Sequence, residues 1–105
     1  MADIVSRTEL IGIIMRYTEL LRQSLRIDAI YLFGSYATGK ANRDSDIDLL
    51  VVSPDFSDDL IENQLQLMRT RRQVDYRIEP HPVLSNELDS NILFSIAQTE
   101  MQKII

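Results

Sequence analysis

Apolar side chains recur at helical spacing from Thr8 to Leu25, where Ile11, Ile14, Met15, Leu21 and Leu25 mark one stripe and Gly12 is the one weak helix former. A second set, Leu10, Ile13, Tyr17 and Leu20, widens the apolar surface beyond what a small sheet needs. The helix is therefore either wrapped closely by the core or keeps part of that surface for a partner. Met1 to Arg7, ahead of it, are expected to fray.

The period then changes. "IDAIYLF", Ile27 to Phe33, is rich in β-branched and aromatic residues and reads as a strand stopped by Gly34. "DIDLLVV", Asp46 to Val52, reads as a second strand, closed by Pro54 because proline cannot donate to a central ladder. Helical spacing returns near Ser57, an N-cap followed by Asp58 and Asp59 in the positive first turn, and would carry Leu60, Ile61, Leu65 and Met68 inward. "QVDYRIE", Gln73 to Glu79, reads as a third strand. "PHP" follows as a rigid loop that leaves His81 on the surface, and Leu88, Ile92, Leu93, Ile96, Ala97 and Met101 predict a final helix from about Asn86 to the end. This order predicts a small α/β or α+β layer domain with one mostly covered sheet.

Length and composition narrow what such a domain does. A chain of 105 residues is one domain, 1–105, with a single core and no room for a separate substrate domain. No apolar run approaches bilayer length and no signal peptide is visible, so no membrane partner and a cytoplasmic location are expected. The lack of cysteine excludes disulfides, a thiol nucleophile and thiolate metal sites, and a single histidine leaves no His-rich zinc site. Any metal must be held by carboxylates, which suits magnesium or manganese. A net charge of −5 argues against duplex binding, so no direct nucleic-acid contact is expected. The basic run Arg69 to Arg72 answers the dipole at a helix end.

The candidate chemistry lies between the first two strands. Asp46 and Asp48 alternate onto one face of the second strand, about 7 Å apart along it, where two carboxylates repel unless a cation sits between them. Asp75, third in "QVDYRI", can face the same spot if its strand lies beside the second. Such a trio suits two metal ions that clamp the attacking and leaving oxygens of a phosphoryl or nucleotidyl transfer. Glu79 shares a face with Asp75 but lies about 13 Å further on, so it is left outside the trio. Directly after the first strand, Gly34 permits a close backbone approach, "SYATG" allows one helical turn with free N–H groups for an anion, and Ser35 adds a hydroxyl. Lys40 and Arg43 are near enough in sequence to help, or are solvated loop charges. Asp-x-Asp alone is equally a feature of ordinary turns; the Gly-Ser ten residues upstream makes the combination specific.

"GSYATGKANRDSDIDLLVV", Gly34 to Val52, resembles the signature of the nucleotidyltransferase superfamily related to DNA polymerase β, and the short chain is similar to its minimal nucleotidyltransferase (MNT) branch. The resemblance spans roughly Ile27 to Pro82. It implies the mixed-sheet nucleotidyltransferase fold flanked by helices, with Gly34 and Ser35 holding nucleotide phosphates and Lys40, Arg43 and Ser45 beside them. It implies further that Asp46, Asp48 and Asp75 bind two Mg2+ ions, with Mn2+ as a substitute, that Asp75 serves as base, and that ATP is the substrate. Thr38 stands where the family often has arginine. Relatives of this kind are paired with small helical HEPN toxins, which implies an antitoxin that transfers AMP to a tyrosine of its partner in a hetero-oligomer, a homodimer being the alternative. Tyr36 is a candidate for nucleotide contact or self-modification. Two rival readings stay open: a small-molecule acceptor, and an antitoxin that neutralises by contact alone.

Overall fold

A computed structural model describes residues 5–105, the side chain of Ala97 excepted. In chain order it has α1 (Arg7–Leu21), β1 (Ala29–Phe33), α2 (Ser35–Thr38), β2 (Ile47–Ser53), α3 (Leu60–Arg71), β3 (Ile78–Leu84), a 3₁₀ segment (Ser85–Ser90), α4 (Ile92–Ala97) and β4 (Gln102–Lys103). The strands form one mixed sheet in the order β3-β2-β1-β4. β1 pairs antiparallel with β2 and β4, while β2 and β3 run parallel through the α3 crossover. This is the expected class, a mixed sheet flanked by helices.

The alternation of each strand divides the core. Ile30, Leu32, Ile47, Leu49, Val51 and Ile78 face α1 and Leu67 of α3 in the main cluster. Phe33, Leu50 and Val83 face the other way, under Tyr31, Leu88, Leu93, Phe94 and Met101. α1 buries Leu10, Ile13, Ile14, Tyr17, Thr18 and Leu21. The core thus takes most of the wide apolar surface, leaving Met15 exposed. The helix starts earlier than its periodicity suggests because Ser6 Oγ accepts the Glu9 N–H at 3.2 Å. Val5 is buried, so fraying fails at residues 5–7, and Met1 to Ile4 lie outside the described residues.

Two elements depart from their sequence patterns. α3 is capped by Asp59, not Ser57, and buries Asn63 and Leu67; Leu60 (72% exposed), Ile61 (74%) and Leu65 (47%) point outward. Hydrogen bonds select this face. Asn63 Oδ1 accepts from the Ser57 N–H at 3.0 Å while its Nδ2 donates to the Ser57 carbonyl at 2.9 Å, so a buried amide is satisfied by pinning the preceding loop. On the same helix Gln64 Nε2 donates to the Pro80 carbonyl at 2.9 Å and Arg71 Nη1 to the Ile78 carbonyl at 2.8 Å.

Those two bonds also explain the second departure, a third strand that begins five residues late and includes "PHP". The Arg77 carbonyl accepts from Ile47 N–H at 2.8 Å, so residues 77, 79 and 81 direct their backbone groups toward β2 and residues 78, 80 and 82 direct theirs outward. Proline at 80 and 82 therefore removes only outward N–H groups on an edge strand, where the ladder does not need them. With the outward carbonyls of Ile78 and Pro80 covered by Arg71 and Gln64, this edge is closed to further strands. His81 accordingly lies in β3 rather than in a loop, half-buried and opposite Leu50. The expected final helix divides into the 3₁₀ segment, α4 and β4, because Asn91 caps α4 through the Phe94 N–H at 3.0 Å and the chain end bonds β1, Ile104 N–H to the Ile30 carbonyl at 2.8 Å. Among the described residues no helix is long and apolar enough to cross a membrane.

Candidate active site

β1, β2 and β3 bring Phe33, Asp48 and Glu79 into one row across the sheet, because Phe33 pairs with Asp48 and Asp48 with Glu79. The next residue after Phe33 is Gly34, with φ 73 and ψ −154, a conformation that essentially only glycine adopts. A methyl group at that position would collide with the Asp48 carboxylate. Glycine is thus required twice, by its dihedrals and by the carboxylate pressed against its α-carbon.

Gly34 leads into α2, a single turn in which its carbonyl accepts from Ala37 N–H at 3.0 Å and Thr38 N–H at 3.2 Å. Gly39, at φ 77, ends the turn. As at any helix start, the first N–H groups, here of Ser35 and Tyr36, have no partner within the turn. Two long-range bonds hold α2 in place: Gln102 Nε2 donates to the Ala37 carbonyl at 2.8 Å, and Tyr36 Oη accepts from Val5 N–H at 3.4 Å. Tyr36 is engaged on the α1 side of the turn.

Asp48 is half-buried, and burial, followed by the charges of Asp46 and Glu79, pushes its pKa up to about 6. Its neighbourhood holds three negative groups. The cation nearest Glu79 is Arg71, at 3.8 Å. Asp46, two residues before Asp48 and therefore on the same face, is exposed to solvent.

Asp75 is not part of this group. It sits in the turn ahead of β3, where Oδ1 accepts the Arg77 N–H at 2.9 Å and Nε at 3.0 Å while Oδ2 accepts Nη2 at 2.6 Å. Arg77, through hydrogen bonds and charge, with a further contribution from Arg16, holds the Asp75 carboxyl below the usual range. The expected third strand placed Asp75 opposite the aspartates; the actual register places Glu79 there. Glu79 was legible in the sequence, since the Pro-x-Pro that follows it marks an outward-facing parity and puts Glu79 on the other. Its distance from Asp75 is immaterial, because Glu79 pairs directly with Asp48.

The other sequence candidates occupy the loop between α2 and β2. Lys40 and Arg43 are exposed. Ser45 Oγ accepts the Asn42 N–H at 2.9 Å, and Asn42 Oδ1 accepts the Asp44 N–H at 2.8 Å, so the Ser45 hydroxyl shapes the loop that delivers Asp46. Thr38 Oγ1 stays on its own turn, 3.4 Å from the Gly34 carbonyl. His81 stacks on Phe33 with ring centroids 5.4 Å apart, beside the row of carboxylates, and burial lowers its pKa.

Among the described residues no three His, Cys, Asp or Glu side chains form a ready-made metal cluster. The donors nevertheless fit a hard divalent cation in kind: they are all carboxylate oxygens, and the burial of Asp48, with the charges of Asp46 and Glu79 beside it, leaves a charged carboxylate there that a cation would stabilise. A cation there would have to draw Asp46 and Glu79 in toward Asp48, since the three do not form such a cluster as they stand.

Comparison with known proteins gives this geometry a family. The model of the nucleotidyltransferase domain matches residues 14–103. A crystal structure of a nucleotidyltransferase from Sulfolobus solfataricus superposes with a TM-score of 0.66 at 18% identity, covering 91% of this chain and 79% of that one. A toxin-antitoxin structure with AMP-PNP has a TM-score of 0.58 at 27% identity, covering 90% of this chain and 72% of its own. A mutant of the MntA-HpeT toxin-antitoxin, with two aspartates two positions apart changed to glutamate, has a TM-score of 0.53 at 25% identity, covering 87% and 71%. No curated protein matches the chain. With the family model covering most of the sequence and the glycine turn and carboxylate row in place, the chain belongs to the nucleotidyltransferase domain family.

Proposed function

We propose that the protein is an MNT-type antitoxin that transfers AMP from ATP to a hydroxyl, that of a tyrosine, on a HEPN-type toxin partner. The observation that carries this reading is the closeness of Gly34 to the Asp48 carboxylate in the row that also holds Glu79, which sets the glycine turn directly against a pair of carboxylates. The toxin-antitoxin neighbours, one with AMP-PNP and one altered at two aspartates with the spacing of Asp46 and Asp48, support the nucleotide and the partner class.

In this mechanism the N–H groups of Ser35 and Tyr36 and the Ser35 hydroxyl receive nucleotide phosphates. Lys40 and Arg43 extend from the exposed loop to neutralise the outer phosphates, in place of the arginine that Thr38 lacks. Asp46, Asp48 and Glu79 would hold Mg2+, whose contribution when bound is to polarise the α-phosphate and neutralise the leaving pyrophosphate. Glu79 takes the acceptor hydroxyl proton in place of Asp75, whose carboxylate is committed to Arg77 and too weak a base. The new acceptor O–P bond forms as the bond between the α-phosphorus and the bridging oxygen breaks, and pyrophosphate leaves.

The test is to incubate the protein with ATP, MgCl2 and the product of the neighbouring reading frame, then weigh that product. One or more added AMP units, lost with Asp48→Asn, are expected. Neutralisation of the partner that persists in Asp48→Asn without any mass increment would replace transfer with contact alone.

A further inference from the structure

β2 and β3 run on from the carboxylates, and Val83 lies four residues beyond Glu79 along β3, about 13 Å at some 3.3 Å per residue. At their far end a cleft of about 240 Å³ opens between the first turn of α3 and the 3₁₀ segment, floored by Phe56, Pro82 and Val83, with Leu60 on one bank and Asn91 on the other. Directly next in the chain to two of its lining residues are exposed apolar groups: Ile61 after Leu60, and after Asn91 the α4 residue Ile92, with Ile96 one helical turn further on, the latter two each 76% exposed. Large aliphatic side chains left this open on both α3 and α4 are unusual for an isolated surface.

The one charged side chain that lines the cleft is acidic, and so are its charged neighbours in sequence. Glu87 lines the cleft, Asp58 and Asp59 precede α3, and Asp89 lies in the 3₁₀ segment. No Lys or Arg occurs between Asp44 and Met68 or between Ile78 and Gln102. Among the described residues no cation lies within ion-pair distance of Asp58, Asp59, Glu87 or Asp89, although Arg69 reaches Glu62 at 3.1 Å. A second copy would bring the same acidic rim against itself, and nucleic acid or an anionic membrane would be repelled.

We propose that this cleft is the docking surface for the protein partner, and that its occupant is an amphipathic helix with a large apolar anchor residue flanked by Lys or Arg. The apolar face enters the cleft and covers Leu60, Ile61 and Ile92, while the basic flanks meet Asp58, Glu87 and Asp89. That this partner is also the acceptor of the nucleotide rests on the function proposed above. Because the cleft floor at Val83 lies about 13 Å along β3 from Glu79, docking supplies affinity and leaves the chemical step to the other end of the strand.

The experiment titrates the full chain with the product of its neighbouring reading frame by calorimetry at low and high salt. Ile61→Asp combined with Ile92→Asp is expected to weaken binding at least a hundredfold with an unchanged circular dichroism spectrum, both positions being exposed. Glu87→Lys combined with Asp58→Lys should weaken it about tenfold at low salt and flatten its salt dependence. A photo-crosslinker at Ile92 in the otherwise native chain should label a basic amphipathic helix of the partner, and in transfer assays the apolar variants should raise KM for the partner with kcat unchanged. Full affinity in the apolar double variant, salt-independent binding, cross-linking to a second copy, or the lack of any complex overturns the proposal. Intact docking without nucleotide transfer overturns the proposed function and leaves this surface standing; transfer with unaltered KM in the surface variants does the reverse.

Discussion

Asp48 and Asp75 are the same residue type at the start of neighbouring strands, and their surroundings drive them in opposite directions. Around Asp48 burial and the charges of Asp46 and Glu79 favour the protonated form, with a pKa of about 6. Around Asp75 the Arg77 guanidinium and backbone N–H favour the charged form. A carboxylate held by three short hydrogen bonds from one arginine, as Asp75 is, has little left to offer a metal; Glu79, with Arg71 at 3.8 Å, is held far more loosely, and the crowded Asp48 is stabilised by any cation that arrives. Unrelieved charge therefore separates the site from the scaffold better than residue type or order in the chain.

The most damaging way to probe the crowded end is to remove its charge or its glycine. Asp48→Asn should cut nucleotide transfer by about 10³-fold, the order seen when a group that organises transition-state charge is lost, while thermal stability at pH 7 stays the same or rises because a destabilising charge is gone. Gly34→Val should abolish transfer as well, but with a fall in stability of about 3 kcal/mol from the strained backbone and the collision with Asp48. Coupled transfer assays and thermal melts on both variants distinguish them. A melting point that drops equally in the two would show that Asp48 is structural.

The comparison is sharpest between the two candidates for the third carboxylate. Glu79→Gln should lower transfer by about 10²-fold with little change in folding, whereas Asp75→Asn should leave transfer within about threefold and lower stability by about 1 kcal/mol through the loss of its pairing with Arg77. That loss corresponds to a melting shift of about 4–8 °C for a domain of this size. The opposite ranking in activity would return Asp75 to the site. A third measurement needs no mutation: MgCl2 should raise the melting temperature of the native chain by a few degrees at pH 7 and by less at pH 5, where Asp48 is protonated, and Asp48→Asn should lose most of the effect.

Much of this arrangement was readable before any coordinates. Gly34 and Ser35 announce a turn after a strand, which depends only on neighbours a few residues away, and Asp48 lies in β2 with Asp46 just ahead of the strand, near enough for its charge to act on Asp48. Placing the third carboxylate required the register between β2 and β3, which local periodicity does not carry; the strand begins five residues later than expected and the carboxylate opposite Asp48 lies four residues further on. The error came from reading Pro80 and Pro82 as a break when, on an outward parity, they are compatible with an edge strand. Helix α3 misled similarly. Its apolar stripe of Leu60, Ile61 and Leu65 looks like a core face, but the satisfied amide of Asn63 and the reach of Gln64 and Arg71 to β3 turn that stripe outward. Hydrogen-bond partners distant in sequence decided the orientation, and a hydrophobic pattern does not encode them.

The smallest expected effect is the pH dependence of stability, and its sign differs between the two aspartates. For Asp48 the folded pKa of about 6 lies above the unfolded value near 3.9, so the folded state binds the extra proton and stability declines as pH rises from about 4 to 6. The full shift would correspond to nearly 3 kcal/mol, but a half-exposed group is screened, and about 1 kcal/mol is the expected size. For Asp75 the folded pKa lies below the unfolded one, so its contribution is complete above about pH 4 and is lost as pH falls through the depressed folded value. Urea melts of the metal-free protein from pH 3 to 7 should therefore show a stability maximum near pH 4 to 5 from these two groups. Asp48→Asn should flatten the decline on the alkaline side and Asp75→Asn the decline on the acid side. If Asp48→Asn leaves the alkaline decline untouched, the crowding of carboxylates around Asp48 is not felt in solution, and the physical contrast between the two sites fails with it.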